Sequence, residues 1–176
     1  MKLKTKSHGG GNRTIDDEIS SINELLPMLD VDVVLGKIYW KNSPRKSVPA
    51  GTEAGSKTKH GYVAIGYKKT YYRRHRIIFY VANGYLPLVV DHKHGVESGD
   101  GIDNLQDITQ QQNSVKMRMS RRNSSGFRGV SFHQKSGKWQ SCIVYNRKTI
   151  YLGLYETPEL AHSAYTDKRK ELFGEI

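Results

Sequence analysis

The chain has 176 residues, 36% of them hydrophobic, which suffices for one ordinary domain or two small ones with modest cores. Its 28 basic and 17 acidic residues leave a formal charge of +11, favouring a polyanion such as nucleic acid as partner. The one cysteine, Cys142, excludes an internal disulfide and a four-thiolate zinc site, and no apolar run approaches the ~20 residues of a membrane span or a signal segment, so a cytoplasmic protein with no membrane partner is expected.

Residues 1–13 are polar, glycine-rich and basic, the composition of a flexible arm. From Thr14 the pattern changes. Asp17 follows three residues later in a capping arrangement, and Ile15, Ile19, Ile22 and either Leu25 or Leu26 recur at helical spacing, so a short amphipathic helix is predicted that Pro27 ends or bends. "VVLGKIYW" reads as one strand, and residues 41–61 as a long polar loop. "GYVAIGY" alternates as a strand, Lys68 and Lys69 turn the chain into "TYYRRH", and "RHRIIFYVANG" forms an apolar helix that Gly84 closes. A further strand, "LVV", runs into Asp91 and His92. Neighbours in a regular strand point to opposite faces, so for both to serve one site the strand must bend there into the polar loop that follows.

Asp91, His92 and Asn104 are residue types that phosphodiester hydrolysis requires. A carboxylate and an amide oxygen are hard ligands for Mg²⁺ or Mn²⁺, and an imidazole with an ordinary pKa near ~6.5 can take a proton from water at neutral pH. The order of "RH", "DH", "DNL" and "QQQN" along the chain resembles the HNH nucleases, in particular the phage and intron-encoded homing endonucleases. That resemblance, spanning about residues 25–113, implies a ββα-metal (His-Me finger) fold clasping one divalent cation, Mg²⁺ or Mn²⁺. It makes His92 the general base and Asp91 and Asn104 metal ligands, with Asn113 at the third motif position as a further ligand. His75 matches an upstream histidine that orients the site or touches a phosphate of the DNA; His94 has no role in the pattern. The implied substrate is double-stranded DNA, with 5′-phosphate and 3′-hydroxyl products, cut by a monomer or a weak dimer and with no small-molecule substrate.

Residues 114–125, including "KMRMSRR", read as a basic linker. Beyond it "GFRGVSFHQ", "GKWQSCIVY" and "KTIYLGLY" form three strands, and "TPELAHSAYTDKRKELFG" a helix with Thr157 as cap, Pro158 in the first turn and Gly174 at its end. Alternation puts Trp139, Ser141 and Ile143 toward the helix and Gln140, Cys142 and Val144 on the free face. "GFRGVSF", "GKW" and "YLGLYETPELAHSAY" resemble the DNA-binding domain of the Apetala-two/ethylene-response-factor family, whose sheet reads the major groove. By that resemblance Arg128, Ser131, His133, Lys135, Gln140, Cys142, Val144, Thr149 and Tyr151 occupy the DNA face. Arg128, Lys135, Arg147 and Lys148 can hold phosphates. With Cys142 and Val144 where relatives often carry arginine or glutamate, direct base readout is expected to be weak.

The expectation is therefore an α+β chain: an arm (1–13), an HNH nuclease domain (14–113), a linker (114–125) and a small three-stranded antiparallel sheet packed on one helix (126–176). The rival is a non-catalytic DNA-binding regulator in which the second module does the work. An RNA-binding role is disfavoured because the stacking motif of the common RNA-binding sheet is missing.

Overall fold

The computed structural model describes residues 13–116 and 123–174. Most of the expected arm and the centre of the expected linker lie outside these residues. The chain is a mixture of helix and strand that divides into two compact units, Met1–Gln110 and Gln111–Ile176. Among the described residues no helix is long and apolar enough to cross a membrane.

The first unit opens with helix α1 (Ile15–Leu25). Thr14 and Asp17 form a reciprocal capping box, Thr14 Oγ1 accepting from the Asp17 amide at 3.1 Å and Asp17 Oδ2 accepting from the Thr14 amide at 3.0 Å. Pro27 converts the helix end into a single tight turn, Leu26–Met28. Of the stretch 33–40 expected to be one strand, only β2 (Lys37–Trp40) is strand; residues 33–36 are the turn of a hairpin that pairs it antiparallel with the preceding β1 (Leu29–Asp32). The reason is local: Asp32 Oδ1 accepts the amides of Val34 and Leu35 at 3.1 and 2.8 Å, and Gly36 supplies a φ of +68°. An apolar run thus turns because its flanking aspartate satisfies the turn's backbone.

A short β3 (Ser56–Lys57), β4 (Val63–Tyr67) and β5 (Thr70–Arg73) form an antiparallel sheet in the order β3-β4-β5. Lys68 and Lys69 both adopt positive φ, the conformation a two-residue hairpin with right-handed twist requires. Helix α2 (Arg74–Asn83) follows at once and ends at Gly84 in the left-handed conformation. Every residue from Arg74 to Phe79 is buried, so this helix is the centre of the unit. Ile77, Ile78 and Phe79 pack with Ile22, Leu25, Leu29, Ile38, Ile65 and Val90. Its buried Arg76 is fully compensated: Glu18 takes Nε and Nη2 at 2.9 and 3.0 Å, and the carbonyls of Pro87 and Leu88 accept at 3.1 and 3.2 Å.

Two strands, β6 (Val89–His92) and β7 (Leu105–Ile108), form a second antiparallel hairpin joined by the loop 93–104, and α3 (Gln110–Lys116) comes next. The expected bend at Asp91 and His92 does not occur. Both remain in regular β6, paired with Gln106 and Leu105, and burial alternates along the strand: Val90 and His92 are inside, Val89 and Asp91 half exposed.

The second unit contains β8 (Val130–His133), β9 (Lys138–Tyr145), β10 (Lys148–Tyr155) and α4 (Pro158–Phe173), in sheet order β10-β9-β8. Thr157 caps α4 through the Leu160 amide, as expected. Val130, Ser141, Ile143, Ala161 and Tyr165 are its buried residues, and Trp139 is half-buried beside Phe132 on the helix side, with ring centroids 5.2 Å apart.

Candidate active site

Three buried side chains meet where the start of α2, the end of β6 and the loop 93–104 come together. His75 stands in the first turn of α2, His92 ends β6, and Asp100 descends from the loop; they are 6%, 6% and 3% exposed. His92 Nε2 lies 2.7 Å from Asp100 Oδ1, and Arg74 Nε donates to Asp100 Oδ2 at 2.7 Å. Arg74 Nη1 continues to Glu53 Oε1 at 2.5 Å, producing the chain Glu53–Arg74–Asp100–His92. The His75 and His92 rings meet edge-on at 4.8 Å, and Tyr62 covers both at 5.5 and 5.8 Å, with the Arg73 guanidinium 4.6 Å above its own ring.

The loop is held where Asp100 needs it by a close approach of backbones. A Cβ on Gly36 would fall 2.2 Å from the Gly101 nitrogen, one on Gly101 2.6 Å from the Val34 carbonyl oxygen, and the Ile102 amide donates to Val33 O at 2.9 Å. The β1–β2 turn is therefore the seat of the Asp100 loop. Inside the loop Asn104 is a clasp. Its Oδ1 accepts the His94 amide at 2.9 Å, and its Nδ2 donates to the carbonyls of Gly95 and Gly99 at 3.1 and 2.7 Å.

Charge follows from this geometry. Burial alone raises the Asp100 carboxyl pKa, but the hydrogen bonds from His92 and Arg74 outweigh it and keep the group below its usual value, hence ionised. His75 is pushed down to about 3, first by burial and next by His92, so its ring is neutral. His75 Nδ1 has no hydrogen-bond partner.

The residues singled out in the sequence distribute differently from the expectation. Asp91 does not join His92: strand alternation sends it to the other face of β6, where Oδ2 accepts from Gln106 Nε2 at 2.9 Å. Asn104 is adjacent to the site but its amide is spent on backbone. Asn113 lies half-buried on α3, in the second unit. His75, expected to orient the site or meet a phosphate, packs edge-on against His92. The carboxylate at the site is Asp100, which sequence reasoning passed over together with Arg74 and Tyr62. A signal existed in "SGDGID", an acid between two glycines in a loop joining two strands, where the chain can turn a carboxylate inward.

On the second unit Lys135, Arg147, Lys148, Thr149 and Tyr151 are exposed. Asn146 and Arg147 hold positive φ in the β9–β10 turn, and Tyr151 and Val144 are each 57% exposed on the face away from α4. The other expected DNA contacts have internal partners. Gln140 Nε2 donates to Cys142 Sγ at 3.1 Å, His133 Nδ1 is 2.8 Å from Ser136 Oγ, and the half-buried Arg128 is hydrogen-bonded to Tyr165.

An ion at the first site must be tested against these contacts. Of the set expected for Mg²⁺, Asp91 lies on the half-exposed face of β6, Asn104 holds the loop backbone and Asn113 stands on α3. What does converge is two imidazoles and one carboxylate, whose donor atoms all lie within 4.8 Å of one another.

Comparison with known proteins places the same segment in context. Residues 72–115, which include His75, His92 and Asp100, match the family model described as HNH endonuclease. Protein 3.8 of Escherichia phage T7 is 29% identical over 106 residues, covering 59% of this chain and 87% of that protein. The ethylene-responsive transcription factor WRI1 of Arabidopsis thaliana is 36% identical over 73 residues, covering 36% of this chain and 16% of that protein. No solved structure matches. The chain thus carries an HNH endonuclease-type segment on a mixed α and β fold, which supports a nuclease.

Proposed function

We propose that this chain is a divalent-metal-dependent HNH endonuclease of the homing type that hydrolyses phosphodiester bonds in double-stranded DNA, with His92 as general base. The observation that carries the reading is that His92, inside the matched segment, is locked to a buried, ionised carboxylate. In its neutral form His92 donates Nε2–H to Asp100, which leaves the lone pair on Nδ1 to accept a proton from water. The hydroxide so formed attacks phosphorus, the bond from phosphorus to the 3′ oxygen breaks, and that oxygen takes a proton from a water molecule, giving 5′-phosphate and 3′-hydroxyl ends. His75 and Tyr62 wall the imidazole and keep bulk water from it. A divalent ion, Mg²⁺ or Mn²⁺, supplies charge neutralisation on the phosphate in chemistry of this class. Asp91, as the carboxylate on the half-exposed face of β6, is the one first-unit ligand retained from the expected set.

The nuclease part corresponds to residues 14–113 and the anchoring sheet to 126–176, whose exposed cations and Tyr151 engage the duplex. Its work belongs, on this reading, in the cytoplasm of a host cell, which likeness to a phage protein supports. The likeness of part of the chain to a transcription factor favours one other reading, a DNA-binding regulator without catalysis. Supercoiled plasmid incubated with the full chain and Mg²⁺ or Mn²⁺ separates the two. Relaxed or linear product that chelator abolishes is expected, and His92→Ala should eliminate it while leaving DNA affinity nearly intact. Binding without metal-dependent cleavage, or cleavage unchanged in His92→Ala, would reject the nuclease assignment.

A further inference from the structure

His75 presents Nδ1 with no hydrogen-bond partner in a ring that is 94% buried, because only 6% of the residue is exposed. An unmet polar atom at that depth is a cost the fold carries unless a ligand meets it. His92 and Asp100 stand beside the His75 ring, and one donor atom from each of the three residues lies within 4.8 Å of the other two, His92 Nε2 and Asp100 Oδ1 being 2.7 Å apart. Ligands about 2.1 Å from one ion lie about 3.4 Å apart in a tetrahedral site, so an ion enters by a slight opening of the His92–Asp100 pair and an approach of His75.

Asp100 brings a buried carboxylate to the group, and its partner Arg74 is shared with the exposed Glu53, which Lys37 also reaches, at 3.7 Å. Arg74 holds Asp100 Oδ2 and leaves Oδ1 for an ion, the arrangement that fixes a ligating carboxylate. The donor set also discriminates. Two imidazole nitrogens with one carboxylate suit Zn²⁺, Co²⁺ or Ni²⁺, whereas Mg²⁺ demands oxygen ligands and gives up its waters reluctantly.

We propose that His75, His92 and Asp100 form a binding site for one borderline divalent cation of the Zn²⁺ and Co²⁺ class, roofed by Tyr62 and distinct from any Mg²⁺ used in cleavage. The ion replaces the proton now shared between His92 Nε2 and Asp100. Neutral His92 must then carry its proton on Nδ1, the nitrogen that accepts from water in the proposed reaction, so the bound ion switches the base off. That consequence rests on the nuclease reading; the binding itself does not.

The test uses metal-free full-length protein without DNA. Titration with Co²⁺, followed by visible absorption, should show one equivalent bound through nitrogen ligands, displaced by Zn²⁺ and indifferent to excess Mg²⁺. His75→Gln should weaken Co²⁺ by more than the roughly 10- to 100-fold typical of losing an outer-shell partner, and His94→Ala should bind as the parent does. Circular dichroism and melting identify variants that remain folded, and Asp100→Asn supplies the comparison should His75→Gln unfold. Folded parent protein that takes up no Co²⁺, or folded His75→Gln and Asp100→Asn variants with parental affinity, overturns the site. Stoichiometric Co²⁺ binding lost in the variant, together with no plasmid cleavage under any condition, would leave the ion site standing and remove the nuclease. Mg²⁺-supported cleavage that one equivalent of Zn²⁺ suppresses supports both.

Discussion

His92 and Asp100 are joined through Nε2 and Oδ1 at 2.7 Å although one ends a strand and the other lies in the following loop, and the same carboxylate is held on its far side by Arg74 at 2.7 Å. A rigid guanidinium fork therefore sets the carboxylate, and the carboxylate sets the imidazole. Asp100→Asn keeps the shape but removes the charge that fixes the tautomer. Cleavage is expected to fall by about 100-fold or more, the usual worth of a positioned base, with DNA affinity unchanged. Nitrogen NMR of the His92 ring reads the tautomer directly: Nε2–H in the parent and a mixture in the variant. A parent ring protonated on Nδ1 instead would refute the arrangement.

Gly36 tests how the loop is seated. It holds φ at +68°, and an added Cβ would strike Asp100 and Gly101 backbone at 2.3 and 2.2 Å, whereas Gly51, at φ +80°, has nothing within 4 Å of such a Cβ. Gly51→Ala should cost only the ~1–2 kcal/mol of a left-handed alanine. Gly36→Ala should cost clearly more and should reduce cleavage even at temperatures where the protein stays folded, since Asp100 moves with its backbone. Chemical denaturation of the two variants side by side decides; equal losses would mean that the turn and loop do not bear on each other.

Much of this fold was legible because local rules and the final structure agree. Thr14 with Asp17, Lys68 with Lys69, Gly84, Thr157 and Gly174 each mark an element end that the chain adopts. The β1–β2 hairpin was not legible, because its turn residues Val33, Val34 and Leu35 are apolar and the turn is made by the side chain of Asp32. The site was legible only in part. The adjacency of Asp91 and His92 suggested a shared role, yet period-two alternation in an unbent strand separates them. Asp100 reaches His92 through tertiary seating on Gly36, a contact that no spacing in the sequence encodes.

Asn104 separates two roles by one substitution. As a metal ligand it would tolerate Asn104→Asp, which keeps an oxygen and adds charge. As the clasp seen here it would not, because the new oxygen would face the carbonyls of Gly95 and Gly99 that Nδ2 now satisfies at 3.1 and 2.7 Å. Each buried group left unpaired costs about 1–3 kcal/mol. Urea unfolding of Asn104→Asp should therefore show a loss of that order or larger, and a variant as stable as the parent with stronger metal dependence would restore the ligand role.

The pH dependence of stability should carry the signature of His75. Its folded pKa is pushed down to about 3 from an ordinary value near ~6.5, so between these values the unfolded chain binds a proton that the folded chain refuses. Stability accordingly falls as pH drops through that window, by at most about 1.4 kcal/mol per unit from this group. Asp100 behaves as a depressed acid: its contribution is present above its unfolded value, near ~3.9, and disappears only as pH falls further through its lower folded value. Loss beginning near pH 6 thus belongs to histidine. His75→Leu should flatten the curve between about pH 6 and 4 in denaturant titrations, and an unchanged slope would assign the acid sensitivity elsewhere.

On the second unit the cations lie at the rim of the exposed sheet face while its middle is nearly uncharged. Lys135, Arg147 and Lys148 stand exposed in or beside turns, Lys138 is already paired with Glu156 at 2.5 Å, and Val144, Thr149 and Tyr151 occupy the open face. Rim cations contact phosphates and release counterions, whereas an aromatic side chain on the face contributes through contact area and leaves the ion count alone. In chelator, with the full chain and a duplex, replacing both Arg147 and Lys148 by glutamine should lower the log–log salt slope of affinity by about 1.8, at roughly 0.9 per phosphate. Tyr151→Ala should weaken binding at every salt concentration with the slope preserved. If the double variant retains the parental slope, the duplex lies on some other surface of the protein, because neutralised phosphates cannot leave the salt dependence untouched.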